Sequence, residues 1–366
     1  MAGQNFIPGQ GALDTFDHST KGFAVFTNNT WHVTDALELT VGLRYTDETK
    51  KVFAQYRNTA PGLACAAAIA RPIPAAARAA ICAPGADPAF NNVDTRQKRS
   101  EDRIGGTVKA SYRFSPQLMS YVSYANSHKS GGFNLDRARV SAGVINPDTS
   151  FAAETVESYE AGFKSNLFEN RLVLNAAAFD QTFENFQLNT FTGISFVVAS
   201  IPKVTSKGFD LDAVWRTPVP GLTATGGVTY AVTQFGNFAP TAGVGPRLPT
   251  SRLSYAPLWS ASWSAAYARD LGADLRLRAS LSGRYTSSYN TGSNLDPQKL
   301  QKELTLWNGR IGVGSADERW TVELFAQNLT NEDYFQVVVD QPLQSGTYAA
   351  FLGAPRTWGV TLRSKF

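Results

Sequence analysis

The chain has 366 residues and a formal net charge of +4, enough for one large all-β domain or two ordinary ones. Charged residues make up 17% and hydrophobic residues 43%, where soluble domains carry about a quarter charged. No run of about 20 apolar residues exists, which excludes a helical membrane protein, and no basic block marks a nucleic-acid partner.

Residues 1–11 have neither the basic region nor the apolar core of a secretory signal. A first strand is predicted at about 21–33, then a turn at Thr34-Asp35 and a strand over 37–52. The connection 54–100 holds both cysteines, Cys65 and Cys82, in an Ala/Pro-rich stretch without a histidine to complete a zinc site. A local disulfide is expected there, with two unpaired thiols as the alternative. Over 103–114, Ile104, Gly106, Val108, Ala110, Tyr112 and Phe114 alternate with Arg103, Thr107, Lys109, Ser111 and Arg113. Side chains of a strand alternate between faces, so one face is apolar and the other polar. Further strands are predicted over 159–167, 172–189, 208–216, 222–235, 259–269 and 275–289. At the end, Trp358, Val360, Leu362 and Phe366 alternate with Thr357, Thr361, Arg363 and Lys365.

These strands are longer than the five or six residues usual in soluble sheets and reach the roughly nine to eleven that a tilted membrane strand needs. Aromatics such as Tyr45, Tyr112, Phe114, Trp215, Tyr285, Trp320 and Trp358 sit near the ends of apolar faces, where interfacial girdles lie. Connections alternate in length. Short turns at Thr34-Asp35, Ser115-Pro116, Glu169-Asn170, 218–221, 271–273 and 316–318 separate long segments at 54–100, 135–153, 236–252, 287–302 and 331–352, with a short irregular one at Thr192-Gly193. Short-long alternation is what an up-and-down transmembrane barrel gives, with tight periplasmic turns on one rim and extended loops on the other. About thirteen antiparallel strands are predicted, the first running from outside to inside. Single-chain bacterial barrels have an even count and no open edge, so the parity calls for further strands.

Several stretches resemble TonB-dependent receptors. The unit ending in Gly42, Leu43, Arg44 and Tyr45, the Lys-Ser-Gly-Gly-Phe-Asn element 129–134, the hairpin around Tyr159, Glu160, Gly162, Lys164, Asn170 and Arg171, and the terminal hairpin with Asn328, Leu329, Tyr334, Pro355 and Arg356 carry the resemblance. It implies the C-terminal part of a 22-stranded outer-membrane barrel spanning residues 1–366, without the plug domain, TonB box or signal peptide. It also implies a transporter and not an enzyme, and a scarce external ligand: a ferric siderophore first, with haem, cobalamin or carbohydrate as alternatives. The implied partners are outer-membrane lipid, the TonB complex acting through a plug, and the outer-membrane assembly machinery. Trp358, Val360, Leu362 and Phe366 resemble the terminal signal that this machinery reads.

A hydrolase reading finds no Gly-x-Ser-x-Gly elbow and only three histidines, and Asp210 with Asp212 reads as a lumen charge network. No cofactor and no metal site is expected. Candidate ligand-binding residues at strand tops and in outer loops are His128, Lys129, Arg137, Arg139, Gln187, Asn189, Tyr289, Asn294 and Gln336. The polar and aromatic groups would bond and stack a ligand, and Arg137 and Arg139 would attract an anionic chelate. Two rivals stand beside this reading. A passive porin-like channel needs one more strand from 5–15, where Pro8, Gly9 and Gly11 fit poorly. A soluble β-rich domain would pack the face of Trp259, Ala261, Trp263, Ala265 and Tyr267 on a second sheet.

Overall fold

The computed structural model describes residues 12–58, 63–73, 88–137, 139–141, 144–191, 196–240, 245–341, 344 and 346–365. Thirteen strands form one antiparallel sheet in sequential order. They are β1 (Ala12–His32), β2 (Leu37–Asn58), β3 (Val93–Ser115), β4 (Leu118–Lys129), β5 (Glu154–Leu167), β6 (Leu172–Phe191) and β7 (Phe196–Arg216). The sheet continues through β8 (Leu222–Phe235), β9 (Trp259–Leu271), β10 (Leu275–Thr286), β11 (Leu304–Ser315), β12 (Trp320–Gln327) and β13 (Thr357–Ser364). The fold is all-β, an up-and-down antiparallel wall.

All six short turns stand where the sequence places them, joining β1 to β2, β3 to β4, β5 to β6, β7 to β8, β9 to β10 and β11 to β12. The turn between β5 and β6 takes Phe168, Glu169 and Asn170 through positive φ of 53, 58 and 65°. Gly221, at φ 81°, brings its Cα close enough that a Cβ would stand 1.9 Å from the Ala268 carbonyl oxygen, so only glycine closes that turn.

Strand ends differ from the sequence reading at the long-loop rim. The first strand begins at Ala12, nine residues before Lys21, and β2 and β3 stay paired out to Tyr56↔Val93. The connection predicted over 54–100 therefore shortens to 59–92. Past the apolar band the outward face turns polar while the other packs under the loops, burying Val52, Ala54 and Tyr56, and pairing continues; Lys50 lies opposite Arg99 and Lys51 opposite Lys98. For the same reason β7 starts at Phe196 and not at Gly208. Conversely, β10 stops at Thr286, because Tyr289–Asn290 pairs instead with Leu300–Gln301 inside the loop. Residues 192–195, with Thr192-Gly193, lie outside the described residues.

One face of the wall is apolar and uncovered. Ile104 is 69% exposed, Phe114 62%, Trp358 74% and Leu362 73%. Trp259 is exposed too, and among the described residues no second sheet covers its face, as the soluble-sandwich rival would need. Such a surface is stable only against lipid. Aromatics mark both edges: Phe209, Tyr230 and Trp259 cluster across neighbouring strands, with ring centroids 4.7–5.9 Å apart, while Trp31, Phe168, Trp215 and Trp320 stand near the short turns. Buried side chains gather at the loop end instead, in one cluster of Leu188, Ile201, Val204, Phe235 and Leu248 and another of Ala54, Tyr56 and Phe90.

Candidate functional site: a cleft between the outer loops

Three connections, 236–258, 287–303 and 328–356, fold onto one another at the long-loop rim. The middle one is organised by Asp296. Its carboxylate caps the turn Pro297–Lys299 by accepting the Gln298 N–H at 3.0 Å, and Pro297 supplies the fixed φ that begins such a turn. The turn sends Lys299 inward, where its side chain is only 4% exposed. The ammonium donates to Asp340 Oδ2 at 2.5 Å and to Asn294 Oδ1 at 3.1 Å and lies 5.9 Å from the centre of the Tyr348 ring. Buried Thr291 ties the same loops, donating from Oγ1 to the Lys299 carbonyl at 2.9 Å and accepting the Val338 N–H at 3.1 Å. Asp296 also accepts the Tyr348 hydroxyl at 3.1 Å and pairs with Arg247 at 3.4 Å.

Between this knot and the tip of the β6–β7 hairpin lies a cleft of about 330 Å³. Its lining is mostly apolar: Phe191, Phe196, Tyr255 and Val337 to Val339, with Asn189, Asn294 and Lys299 as polar points. The Gln298 N–H, then the Tyr348 hydroxyl and Arg247, hold the Asp296 carboxyl below its usual range. Burial, and then Tyr289, push the Tyr255 phenol up; burial, and then Asp296, do the same for Tyr348. Both phenols are therefore neutral O–H donors at physiological pH, and the cleft carries no free charge, since Lys299 and Asp340 neutralise each other.

Of the residues singled out by sequence, Asn189 and Asn294 line this cleft. Tyr289 stands beside it, its ring centre 6.1 Å from that of Tyr255. Gln336 is exposed and spans its own hairpin, donating to the Leu352 carbonyl at 3.2 Å. His128 lies in a separate depression with Asn126 and Glu184, and Lys129 ends β4 opposite Glu154.

Two expectations are corrected. Arg137 is no free attractor of anions: its side chain is 3% exposed and forks onto Asp14 at 2.7 and 2.8 Å, over the Phe90 ring at 4.8 Å. The long aliphatic stem and planar head suit it to this packed ion pair. Gln187 is no open ligand contact either. Its Nε2 donates to the carbonyls of Ser130 and Ala152 at 3.0 and 3.1 Å, and its backbone N–H donates to Glu154 at 2.8 Å. It is a clip that holds down the 130–153 connection. Arg139 lies in the short strand Arg139–Ser141. Cys65 is disulfide-bonded, and Cys82 lies outside the described residues, as does Phe366. Trp358, Val360 and Leu362 all expose their side chains on the apolar face.

Sequence reasoning missed Lys299, Asp340, Thr291, Phe191, Phe196 and Tyr255. The one local signal was Asp296-Pro297, a turn-initiating pair.

A family model described as TonB dependent receptor-like, beta-barrel, matches residues 2–329. Among solved structures, the ferric yersiniabactin uptake receptor FyuA from Yersinia pestis superposes with a TM-score of 0.75 at 18% identity, over 97% of this chain and 47% of that one. The ferric-catecholate import receptor Fiu from E. coli K12, in its closed form, gives 0.65 at 20% identity, over 95% and 44%. The copper transporter OprC gives 0.66 at 14% identity, over 94% and 48%. The chain thus spans about half the length of these structures, and at such identities the likeness is one of fold. With the matched model covering most of its length, this chain belongs to the TonB-dependent receptor-like β-barrel family, proteins of the bacterial outer membrane.

Proposed function

We propose that the chain forms the wall and outer loops of a receptor that takes up a ferric siderophore, powered by TonB through a plug domain. The observation that carries this reading is the cleft at the long-loop rim. It faces the side from which a scarce ligand arrives, and it offers aromatic faces and neutral donors in place of bond-making groups. A ferric siderophore presents a large organic shell around its metal, which suits stacking on Phe191, Phe196 and Tyr255 with hydrogen bonds to Asn189 and Asn294. Similar folds named for ferric yersiniabactin and ferric catecholate support this choice of class, while the copper transporter marks the competing cargo. The polar lumen face, with Asp210, Asp212 and Arg278, would meet the plug.

The test is uptake of radioactive iron by cells whose only siderophore receptor is the full receptor containing this wall, across a panel of ferric siderophores. Accumulation of one complex is expected, lost without TonB and reduced at least about thirtyfold by Phe196→Ala with Tyr255→Ala, since base-type stacking on aromatics contributes about 1–3 kcal/mol per contact. Entry that persists without TonB, or that ignores both substitutions, would refute the reading.

A further inference from the structure

The apolar face of the wall is not smooth. Across β9 to β12 a groove of about 480 Å³ runs between Leu222 and Leu329. Its floor follows one line of register: Ala265 lies opposite Leu281, Leu281 opposite Gly309, and Gly309 opposite Ala326. The next line, Tyr267, Ala279, Ile311 and Leu324, forms a wall. The depression exists because Gly309 has no side chain and Ala265 and Ala326, on the same line, have small ones. A Cβ at Gly309 would meet Leu329 at 3.4 Å and Leu281 at 3.8 Å, both ordinary contacts, so the backbone there tolerates a side chain.

A cation stands on the same face, beyond the residues that line the groove. Strand alternation puts Arg269 on the same face as Tyr267 and Leu271, two residues toward the short-turn rim, and Arg269 is exposed. The neighbouring carboxylate, Asp270, faces away, 3.6 Å from Arg276 on the other side of the sheet. Trp320, exposed at the same rim, marks the level of the headgroups. A lone lipid-facing guanidinium at that level needs an anion, and the lipid phosphate supplies one. Four strands at about 4.8 Å spacing make the groove roughly 14 Å long across the sheet, and the tilt of the strands sets it oblique to the membrane normal, as a seat for part of one acyl chain.

We infer that this groove is a specific binding site for one glycerophospholipid of the inner leaflet, its phosphate on Arg269 and one acyl chain laid over Gly309.

The test places the full receptor in vesicles of phosphatidylethanolamine and phosphatidylglycerol containing a phosphatidylglycerol with a photoreactive acyl chain. After illumination, labelled peptides are mapped, and folding is verified by resistance to SDS before heating. Labelling is expected to concentrate on β9 to β12. Arg269→Gln should reduce it about fivefold, the loss of one interfacial cation. Gly309→Leu should abolish it in the groove while leaving the folded band intact. A diacylglycerol probe with the same chain and no phosphate should label the groove no more than the rest of the wall. Uniform labelling around the wall, or groove labelling that survives both substitutions or is matched by the diacylglycerol, would overturn the site.

Discussion

The Lys299–Asp340 pair makes an asymmetric prediction. Asp340→Ala strands an ammonium whose side chain is 4% exposed, leaving it only Asn294 Oδ1 and the Tyr348 ring. Removing one partner of a buried pair costs about 3–5 kcal/mol. The reverse change, Lys299→Met, strands a carboxylate that is 30% exposed, reachable by water and still accepting from Asn294 Nδ2 at 3.2 Å. Its cost is nearer the roughly 1–3 kcal/mol of an under-bonded polar group. A difference of about 2 kcal/mol is about 30-fold in an equilibrium. The loops should therefore open roughly 30 times more often in Asp340→Ala than in Lys299→Met. Hydrogen exchange reads this at the amides of Thr291, Val338 and Phe335, which bond to the Lys299 carbonyl, Thr291 Oγ1 and Gln301 Oε1. Amides of β9 and β10 should not change. Combining Lys299→Met with Asp340→Leu should restore most of the protection, because an apolar pair replaces an ionic one at little cost. Equal exchange in the two single variants, or faster exchange in Lys299→Met, would refute the argument that burial of the ammonium sets the strength of the knot.

Three other outcomes follow from the same geometry. Leu281→Arg, six residues into β10 on the lipid face, should cost about 2–4 kcal/mol and lower the yield of heat-modifiable folded barrel, whereas Leu277→Arg, near the short-turn rim, should cost about 0–1 kcal/mol; Arg278→Gln, which only breaks an exposed pair with Glu318, should leave folding unchanged. Gly131→Ala should release the 132–151 segment to protease, because its Cβ would stand 2.4 Å from the Phe151 carbonyl oxygen, a backbone atom with no room to give. The Asp296 carboxyl has a folded pKa below its ordinary 3.8, so its contribution is complete above that value and is lost only as pH falls through the folded one; loop protection should hold at pH 5 and fall in strong acid below pH 3.8, and the acid loss should be smaller in Asp296→Asn.

The wall was legible because lipid on one side and a polar lumen on the other impose a strict two-residue period. Ile104 to Phe114 shows it, and the structure keeps those residues on one face. Legibility ends where loops replace lipid. From Val93 to Glu101 the strand continues with polar residues on both faces, and opposite it Val52, Ala54 and Tyr56 are buried under loops that no sequence period places. The knot was illegible for a different reason. Lys299 is one lysine in a polar loop, and only the fold brings Asp340, 41 residues away, within 2.5 Å of it. Arg137 misled for the same reason: its partner Asp14 is 123 residues distant, so in sequence it reads as a free loop cation.

The separation between wall and loops also explains how folds named for iron complexes and for copper can superpose on one chain. Every lipid-facing position answers to the bilayer, which accepts Leu, Val, Ile or Trp in many orders and so tolerates low identity at constant shape. The cleft, in the function proposed for it, answers to a particular ligand. Phe191 and Phe196 sit at a hairpin tip, and Tyr255, Asn294 and Lys299 in loops, so none of them takes part in the alternation that inserts the barrel. Phe196→Ala should therefore change uptake without changing insertion, and Leu281→Arg should do the reverse. The groove at Gly309 lies between these two regimes: small residues recur on the lipid face, at Gly106, Ala110 and Gly283 as well, but only where Gly309 meets Ala326 in register does the groove proposed for a lipid chain run across the strands.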